Sequence, residues 1–209
     1  EIYMGDWSSD VCSSDLGIGM AGAARLAGEA ALRVGAGLVT VATRPENVAT
    51  ITADRPELIC RGIERADEIE SLLDRADVLA IGPGLGQDPW AVMMVEAALR
   101  CGKPSVIDAD ALNLLAQSPC VSEHWILTPH PGEAGRLLGT SAAEVQDDRL
   151  AAAGSIVDRY GGVVVLKGAG TLVMQREALP SICDQGNPGM ASPGMGYMEI
   201  GRASCRERV

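Results

Sequence analysis

Residues 20–43 read MAGAARLAGEAALRVGAGLVTVAT, and the fold class follows from this stretch. Its first part repeats Ala and Leu at the spacing of one helix face, which predicts a helix over residues 20–34. Gly35 and Gly37 then end the helix, and the β-rich run LVTVAT predicts a strand over residues 38–43. A helix that leads into a strand indicates an α/β protein.

The same alternation continues through the rest of the chain. Further helices are predicted at residues 68–75, from the N-cap Asp88 and Pro89 to near Arg100, from Gly132 onward, and over residues 142–160. Further strands are predicted at residues 77–81, 103–108, 125–128 and 163–166. Short apolar strands separated by helices are typical of a mostly parallel sheet that is covered on both faces. The expected fold class is therefore α/β with a mostly parallel central sheet.

The composition is that of one ordinary globular domain. The 209 residues are 47% hydrophobic and 22% charged, and 28 acidic against 17 basic residues give a net charge of −11. This charge repels nucleic acid and anionic lipid, so we expect neither a polynucleotide nor a membrane as partner. The six Cys show no C-x-x-C spacing and no Cys/His cluster, which favours free thiols in a reducing, cytoplasmic compartment.

The two ends of the chain differ from its interior. Residues 6–16, DWSSDVCSSDL, show neither a helical nor a strand period, and they resemble one reading frame of a common sequencing adapter. Residues 199–209, EIGRASCRERV, resemble a frame of the partner adapter. We therefore expect foreign segments at residues 1–16 and 199–209, and between them a native domain at 17–198 that is truncated at its C-terminus. Genuine disordered tails are the alternative.

Five unusual loops follow predicted strands, at the edge of the sheet where ligands bind in such folds. They read GPGLG (82–86), DADALN (108–113), TPHPGE (128–133), KGAGT (167–171) and GNPGMASPGMG (186–196). A glycine-rich turn before a helix exposes backbone N–H groups to a phosphate, although tight turns alone explain the glycines of GPGLG equally well. Five such loops on one edge indicate a ligand site.

Single residues in these loops allow two interpretations each. Lys167 could approach a phosphate, but the P-loop spacing is absent and a solvated turn is the alternative. His130 could hydrogen-bond a ligand or cap a helix, and Glu133 could hold hydrated Mg²⁺ or be a first-turn charge that the helix dipole favours. For Asp108 and Asp110 we prefer helix capping to catalysis.

Together these sequences resemble the ADP-dependent NAD(P)H-hydrate dehydratase family of the ribokinase-like superfamily. The resemblance runs from Met20 to Gly196 through MAGAARLAGEAALRVGAGLV, DRPEL, ADVLAIGPGLGQ, DADALNLLA, ILTPHPGEAGRLLG, RYGGVVVLKGAGT and GNPGMA. It implies a three-layer αβα sandwich with a mostly parallel central sheet. TPHPGE and KGAGT favour this family over the related hydroxymethylpyrimidine kinases, which tend to carry Asn in place of the His.

The resemblance also implies a reaction and its residues. The family uses ADP and Mg²⁺ to dehydrate the damaged, hydrated forms of NADH and NADPH, and AMP and phosphate are released. Ala23, Gly84 and His130 would contact the hydrated cofactor, and Glu133 would take the Mg²⁺-associated position. The adenine nucleotide would bind to Lys167, Gly168, Ala169, Gly170, Thr171 and Gly196.

Two departures from the family pattern bear on activity. The family continues G-M-G-D, in which the Asp serves as base toward the hydroxyl, whereas here Tyr197 follows Gly196. Pro193 also replaces the usual Gly of this loop. We therefore expect no catalytic residue and no turnover in the chain as it stands. An inactive nucleotide-binding fragment is thus one alternative to a lyase, and a small-molecule kinase of the same superfamily is another. A homo-oligomer and an epimerase domain fused upstream stay open.

Overall fold

A nine-stranded sheet forms the centre of the fold in the computed structural model, which describes residues 9–14, 21–53 and 55–183. The strands are β1 (Ser9–Ser14), β2 (Leu38–Thr43), β3 (Ile59–Gly62), β4 (Ala76–Ile81), β5 (Ser105–Ile107), β6 (Trp125–Leu127), β7 (Val163–Leu166), β8 (Thr171–Gln175) and β9 (Ser181–Cys183). Their order in the sheet is β3-β2-β1-β4-β5-β6-β7-β8-β9. Pairing is parallel from β3 to β7 and antiparallel at β8 and β9, which confirms the predicted α/β class.

Helices connect most of these strands. They are α1 (Ala21–Arg33), α2 (Val48–Thr52), α3 (Ala66–Arg75), α4 (Pro89–Arg100), α5 (Ala109–Gln117), α6 (Pro131–Leu138), α7 (Ala142–Asp147) and α8 (Arg149–Tyr160), with a 3₁₀ turn at Pro45–Asn47. α4 begins as the sequence predicts, because Asp88 Oδ1 accepts hydrogen bonds from the backbone N–H groups of Trp90 and Ala91, each at 3.0 Å. Pro89 in the first turn loses nothing there, since its missing N–H would have no partner within the helix.

The single helix predicted over residues 142–160 is wrong at its centre. Asp148 separates α7 from α8 with φ −142° and ψ 84°, which are not helical values. Its Oδ1 accepts a hydrogen bond of 2.9 Å from the N–H of Ala151. An Asp within an otherwise helical pattern therefore starts a new helix here, because its short side chain can replace a backbone acceptor.

The N-terminal segment differs most from its prediction. The sequence predicts no strand in residues 6–16, and this is wrong, because β1 lies between β2 and β4 and runs parallel to both. Val11 pairs with Thr40 of β2 and with Leu79 of β4. Backbone N–H and C=O groups pair whatever the side chains are, so an extended segment can occupy a central position without a hydrophobic period. The foreign origin of residues 1–16 and 199–209 stays a prediction.

Two apolar cores lie on the two faces of the sheet. Helices α1 and α2 supply Ala24, Ala27 and Ile51 to one core, and α3 to α8 supply the other. Successive strand residues alternate between them: Ala80 of β4 belongs to the first core and Ile81 to the second. The expected three layers, αβα, are therefore present. Within the described ranges, no helix combines the length and apolar character that crossing a membrane requires.

Candidate functional site

The loops after β4, β5, β6 and β7 meet at one edge of the sheet, because these strands are parallel neighbours. Backbone hydrogen bonds join the loops in pairs. The N–H of Asp108 donates to the carbonyl oxygen of Ile81 at 3.0 Å, and the N–H of Lys167 donates to that of Pro129 at 2.8 Å. The predicted gathering of loops at the carboxyl edge is thus present for these four loops.

A buried ion pair lies between two of these loops. Lys167 Nζ is 2.6 Å from Asp108 Oδ1 and 3.8 Å from Glu133 Oε2. The side chains of Asp108 and Glu133 are only 2% and 7% exposed, and that of Lys167 is 21% exposed. One ammonium group therefore serves two buried carboxylates. With all three groups ionised the cluster carries a net negative charge, which a further cation could balance.

His130 and Glu133 form a capping box at the start of α6. His130 Nδ1 accepts a hydrogen bond of 2.9 Å from the N–H of Gly132, and Glu133 Oε2 accepts one of 2.8 Å from the N–H of His130. Nδ1 is therefore unprotonated, and the neutral ring carries its proton on Nε2, 3.3 Å from Glu133 Oε1. Burial and the charge of Lys167 lower the pKa of His130, which favours this neutral form. Burial raises the pKa of the Glu133 carboxyl.

The loop after β5 directs two aspartates to different partners. The prediction that one of them caps α5 is wrong, since within the described residues Asp108 makes no capping bond and instead pairs with Lys167. Asp110 Oδ2 accepts a hydrogen bond of 2.9 Å from the N–H of Gly86. Between them Ala109 has φ +48°, in the left-handed region that a residue with a Cβ rarely adopts. The corner therefore connects the GPGLG loop to Lys167.

Gly82 permits the close approach of this corner to the GPGLG loop. Its φ is +125°, and a Cβ at this position would lie 1.7 Å from the carbonyl oxygen of Asp108. The N–H of Gly86 is already used by Asp110, so this group is not available to a phosphate. Positive φ values at Gly82, Gly84 and Gly86 agree with a tight turn, and the predicted contact of the buried Gly84 with a ligand stays a prediction.

Arg149 supports the KGAGT loop, although no motif in the sequence marks this residue. Its Nη1 donates to the carbonyl oxygen of Ala169 at 2.7 Å, and its Nη2 donates to those of Leu166 at 2.9 Å and Lys167 at 3.4 Å. Gly168 makes room for the guanidinium, because a Cβ there would lie 3.0 Å from Nη1. An Arg in the first turn of a helix gives no sequence signal for a partner loop 18 residues away.

The structure brings several predicted site residues together. Glu133 contacts both His130 and Lys167, and Gly84 lies in the loop after β4 at the same edge. Ala23 is buried in the first turn of α1, which follows β1 in the chain. The remaining predicted nucleotide-binding residues described here adjoin Lys167 in one loop: Gly168, Ala169, Gly170 and Thr171. Gly196, Tyr197 and Pro193 lie outside the described residues.

Asp108 and Glu133 are the side chains that could take part in holding Mg²⁺. Within the described part of the chain, no group of three or more His, Cys, Asp and Glu side chains is arranged to hold a metal ion by itself. Mg²⁺ does not need such a cage, because it commonly binds one or two carboxylates together with water and ligand phosphates. The two carboxylates on either side of Lys167 fit that requirement.

Comparisons with known proteins identify the family of the chain. The family profile described as NAD(P)H-hydrate dehydratase matches residues 16–201. The bifunctional NAD(P)H-hydrate repair enzyme Nnr of Coxiella burnetii is 55% identical over 178 residues, which cover 85% of this chain and 36% of that protein. The chain thus spans about a third of the length of this relative.

Solved structures show the same fold. A ribokinase-like superfamily protein from Enterococcus faecalis superposes with a TM-score of 0.86 at 29% identity, covering 95% of this chain and 70% of that one. The ADP/ATP-dependent NAD(P)H-hydrate dehydratase from Bacillus subtilis, co-crystallised with ATP and Mg²⁺, superposes with a TM-score of 0.80 at 27% identity, covering 95% and 73%. The fold is therefore ribokinase-like, and the chain belongs to the NAD(P)H-hydrate dehydratase family.

Proposed function

We propose that this family member repairs hydrated nicotinamide cofactors. In the proposed reaction ADP transfers its terminal phosphoryl group to the hydroxyl of (S)-NADH hydrate or (S)-NADPH hydrate, and AMP is released. The C–O bond then breaks with departure of phosphate, and loss of a proton restores the ring double bond. The observation that supports this most is the Lys167 ammonium between buried Asp108 and Glu133, next to the KGAGT loop, in a chain of this family.

The nucleotide side of the proposed site is the loop after β7. We assign ADP binding to Lys167, Gly168, Ala169, Gly170, Thr171 and Gly196. Lys167 would contribute positive charge to a phosphate while Asp108 and Glu133 hold its ammonium in place. Arg149 would act as a positioning residue, because it donates hydrogen bonds to three carbonyl groups in or beside this loop.

The substrate side of the proposed site comprises Ala23, Gly84 and His130. The neutral imidazole of His130 has its Nδ1 engaged by α6, so it offers Nε2–H as a donor of fixed direction. A donor of fixed direction suits recognition of a substrate oxygen better than proton transfer. Substrate binding is therefore the role that we assign to His130.

Mg²⁺ would be held next to Lys167. Glu133, assisted by Asp108, would bind it through carboxylate oxygens or water, and the ion would neutralise charge on the transferring phosphoryl group when bound. The Bacillus subtilis relative was crystallised with ATP and Mg²⁺, which supports the use of this metal together with a nucleotide.

Two features outside the described residues bear on activity. Tyr197 follows Gly196, where the family pattern has the catalytic Asp, so the chain as it stands should bind nucleotide without turnover. The Coxiella burnetii relative is bifunctional, which supports an epimerase domain upstream in the intact protein.

A chimaera tests the function. The residues after Gly196 are replaced by the corresponding segment of the Coxiella burnetii relative, and a matched control carries Asn in place of that segment's first Asp. NADH absorbance is followed after addition of NADH hydrate, ADP and Mg²⁺. We expect recovery with the chimaera alone, and AMP binding by all three proteins. A chimaera that binds AMP but leaves the hydrate unchanged contradicts the proposed reaction, and turnover by the original chain contradicts the role given to the Asp.

A further inference from the structure

A polar groove adjoins the site and has no role in the function proposed above. Its cavity volume is about 370 Å³, and it is lined by Gln87, Asn113, Ala116, Gln117 and Arg136. Three of these residues carry amides and one a guanidinium, and this set of described residues contains no carboxylate. The groove therefore offers hydrogen-bonding groups and a positive charge in a chain whose net charge is −11.

Three residues that line the groove are close in the chain to loops of the site. Gln87 directly follows the GPGLG loop. Asn113 lies one turn along α5 from Asp110, and Arg136 lies one turn along α6 from Glu133. The groove therefore lies beside the helices α5 and α6, which both begin at loops of the site.

Arg136 is placed to receive an anion. Its Nη1 donates to Asn113 Oδ1 at 3.0 Å, which orients an otherwise exposed guanidinium. Among the described residues it forms no ion pair, in contrast to Lys167. Its charge also reaches the site, since it is one of the cations that lower the pKa of His130. A guanidinium fork matches two oxygens of one phosphate group, and neighbouring amides suit ribose hydroxyls or a base.

The size of the groove limits what it can hold. Pockets that enclose a drug-sized ligand measure about 300–1,000 Å³, so this groove accommodates one nucleoside-sized part of a larger molecule. A dinucleotide whose nicotinamide end lies at His130 and Gly84 must place its other end elsewhere. Within the described residues, the groove is a neighbouring surface with the amides and the positive charge that this other end requires.

We propose that the groove binds the end of the hydrated dinucleotide remote from the nicotinamide ring, with Arg136 on a phosphate group. The inference rests on the proposed function, because it requires a dinucleotide substrate. The phosphate has two sources in such substrates. The pyrophosphate is common to both hydrates, whereas only NADPH hydrate carries a phosphate on the adenosine ribose.

Calorimetry on the full 209-residue chain tests the inference without requiring turnover. NADH hydrate, NADPH hydrate and AMP are titrated into the original protein, into Arg136→Gln and into the control Arg100→Gln, which removes an exposed arginine that pairs with Glu96 on α4. We expect Arg136→Gln to weaken hydrate binding about 10- to 100-fold and to leave AMP binding unchanged. Arg136→Lys should lose less, because it keeps the charge without the fork.

The pattern of affinity losses shows whether the groove binds the dinucleotide and which phosphate Arg136 contacts. Equal losses for the two hydrates identify the pyrophosphate, and a loss confined to NADPH hydrate identifies the ribose phosphate; both support the groove. Unchanged hydrate binding, or an equal loss with Arg100→Gln, overturns it. A parallel loss of AMP binding also overturns it, since Arg136 would then act on the nucleotide loop or on folding. If the original protein binds AMP and neither hydrate, the proposed function itself fails, and the groove assignment fails with it.

Discussion

Replacing Lys167 by Met should destabilise the protein, because it removes the cation from two buried carboxylates. Met preserves the length and apolar body of the side chain. Asp108 is only 2% exposed, so its charge cannot gain full hydration in the variant. Removing one partner of a buried pair typically costs about 3 to 5 kcal/mol. Lys167 itself is 21% exposed, which places the expected loss at about 3 kcal/mol, at the lower end of that range.

A double-mutant cycle separates the ion pair from simple packing. Asp108→Asn keeps the shape of the side chain and removes its charge. The double variant lacks both charges of the shortest ion pair in the cluster, in which Lys167 Nζ lies 2.6 Å from Asp108 Oδ1. No unpaired charge is therefore left at position 108. We therefore expect Asp108→Asn to restore at least about 1.5 kcal/mol when it is added to Lys167→Met.

Urea unfolding of the two single variants, the double variant and the original chain measures these differences. In thermal unfolding a loss of about 3 kcal/mol corresponds to about 6 to 12 °C for a domain of this size. Arg100→Gln, at an exposed position, serves as control and should change stability by less than about 0.5 kcal/mol. A loss below about 1 kcal/mol for Lys167→Met, or strictly additive effects in the cycle, would refute the buried pair.

Three further changes test other parts of the site. Arg149→Lys should weaken AMP binding about 10-fold in calorimetry, because one ammonium cannot hold three carbonyl groups as the fork does. Gly82→Ala should cost about 3 to 5 kcal/mol in urea unfolding because its Cβ meets backbone at 1.7 Å, whereas Gly102→Ala, with open space around its Cβ, should cost about 1 kcal/mol. The pKa of Glu133 is raised, so folding favours its protonated form. Protonated Glu133 therefore contributes to the free energy of unfolding below about pH 4.5, and this contribution is lost as the pH rises through the raised pKa. When the free energy of unfolding is measured across pH, Glu133→Gln should abolish this decrease in stability with rising pH. His130→Gln should instead abolish a decrease in stability that occurs as the pH falls below about 6.5, because the pKa of His130 is lowered.

Regular elements with a clear period could be predicted from the sequence. The strand LVTVAT has the bounds of β2, and the run VVVL has those of β7, because consecutive β-branched residues leave few alternatives. The start of α4 could also be predicted, because its N-cap Asp88 and the following Pro89 form a local signal. β1 could not be placed, because its position depends on partners that lie far along the chain, at residues 38–43 and 76–81.

In the candidate site, too, local features could be predicted from the sequence and long-range contacts could not. The His130 and Glu133 capping box is local, spanning four residues, so both residues could be found by their position at the start of a helix. The partner of Lys167 could not be found, because Asp108 is 59 residues away and looks like an ordinary N-cap. Asp108 caps nothing because pairing with Lys167 takes its carboxylate, and that competition is decided by the sheet, which sets β5 and β7 on either side of β6.

The strained backbone at Ala109 results from the different partners of its two neighbouring aspartates, and this strain can be measured. Asp108 must reach Lys167 while Asp110 reaches the GPGLG loop, and the residue between them adopts φ +48°. The left-handed region costs a residue with a Cβ about 1 to 2 kcal/mol, and glycine avoids this at the expense of a more flexible unfolded chain. We therefore expect Ala109→Gly to stabilise the protein by about 0.5 to 1 kcal/mol in urea unfolding. Ala116→Gly, in the last turn of α5, should instead destabilise it by up to about 1 kcal/mol. Equal destabilisation by the two substitutions would mean that the corner is not strained, and that the two aspartates reach their partners without forcing the backbone between them.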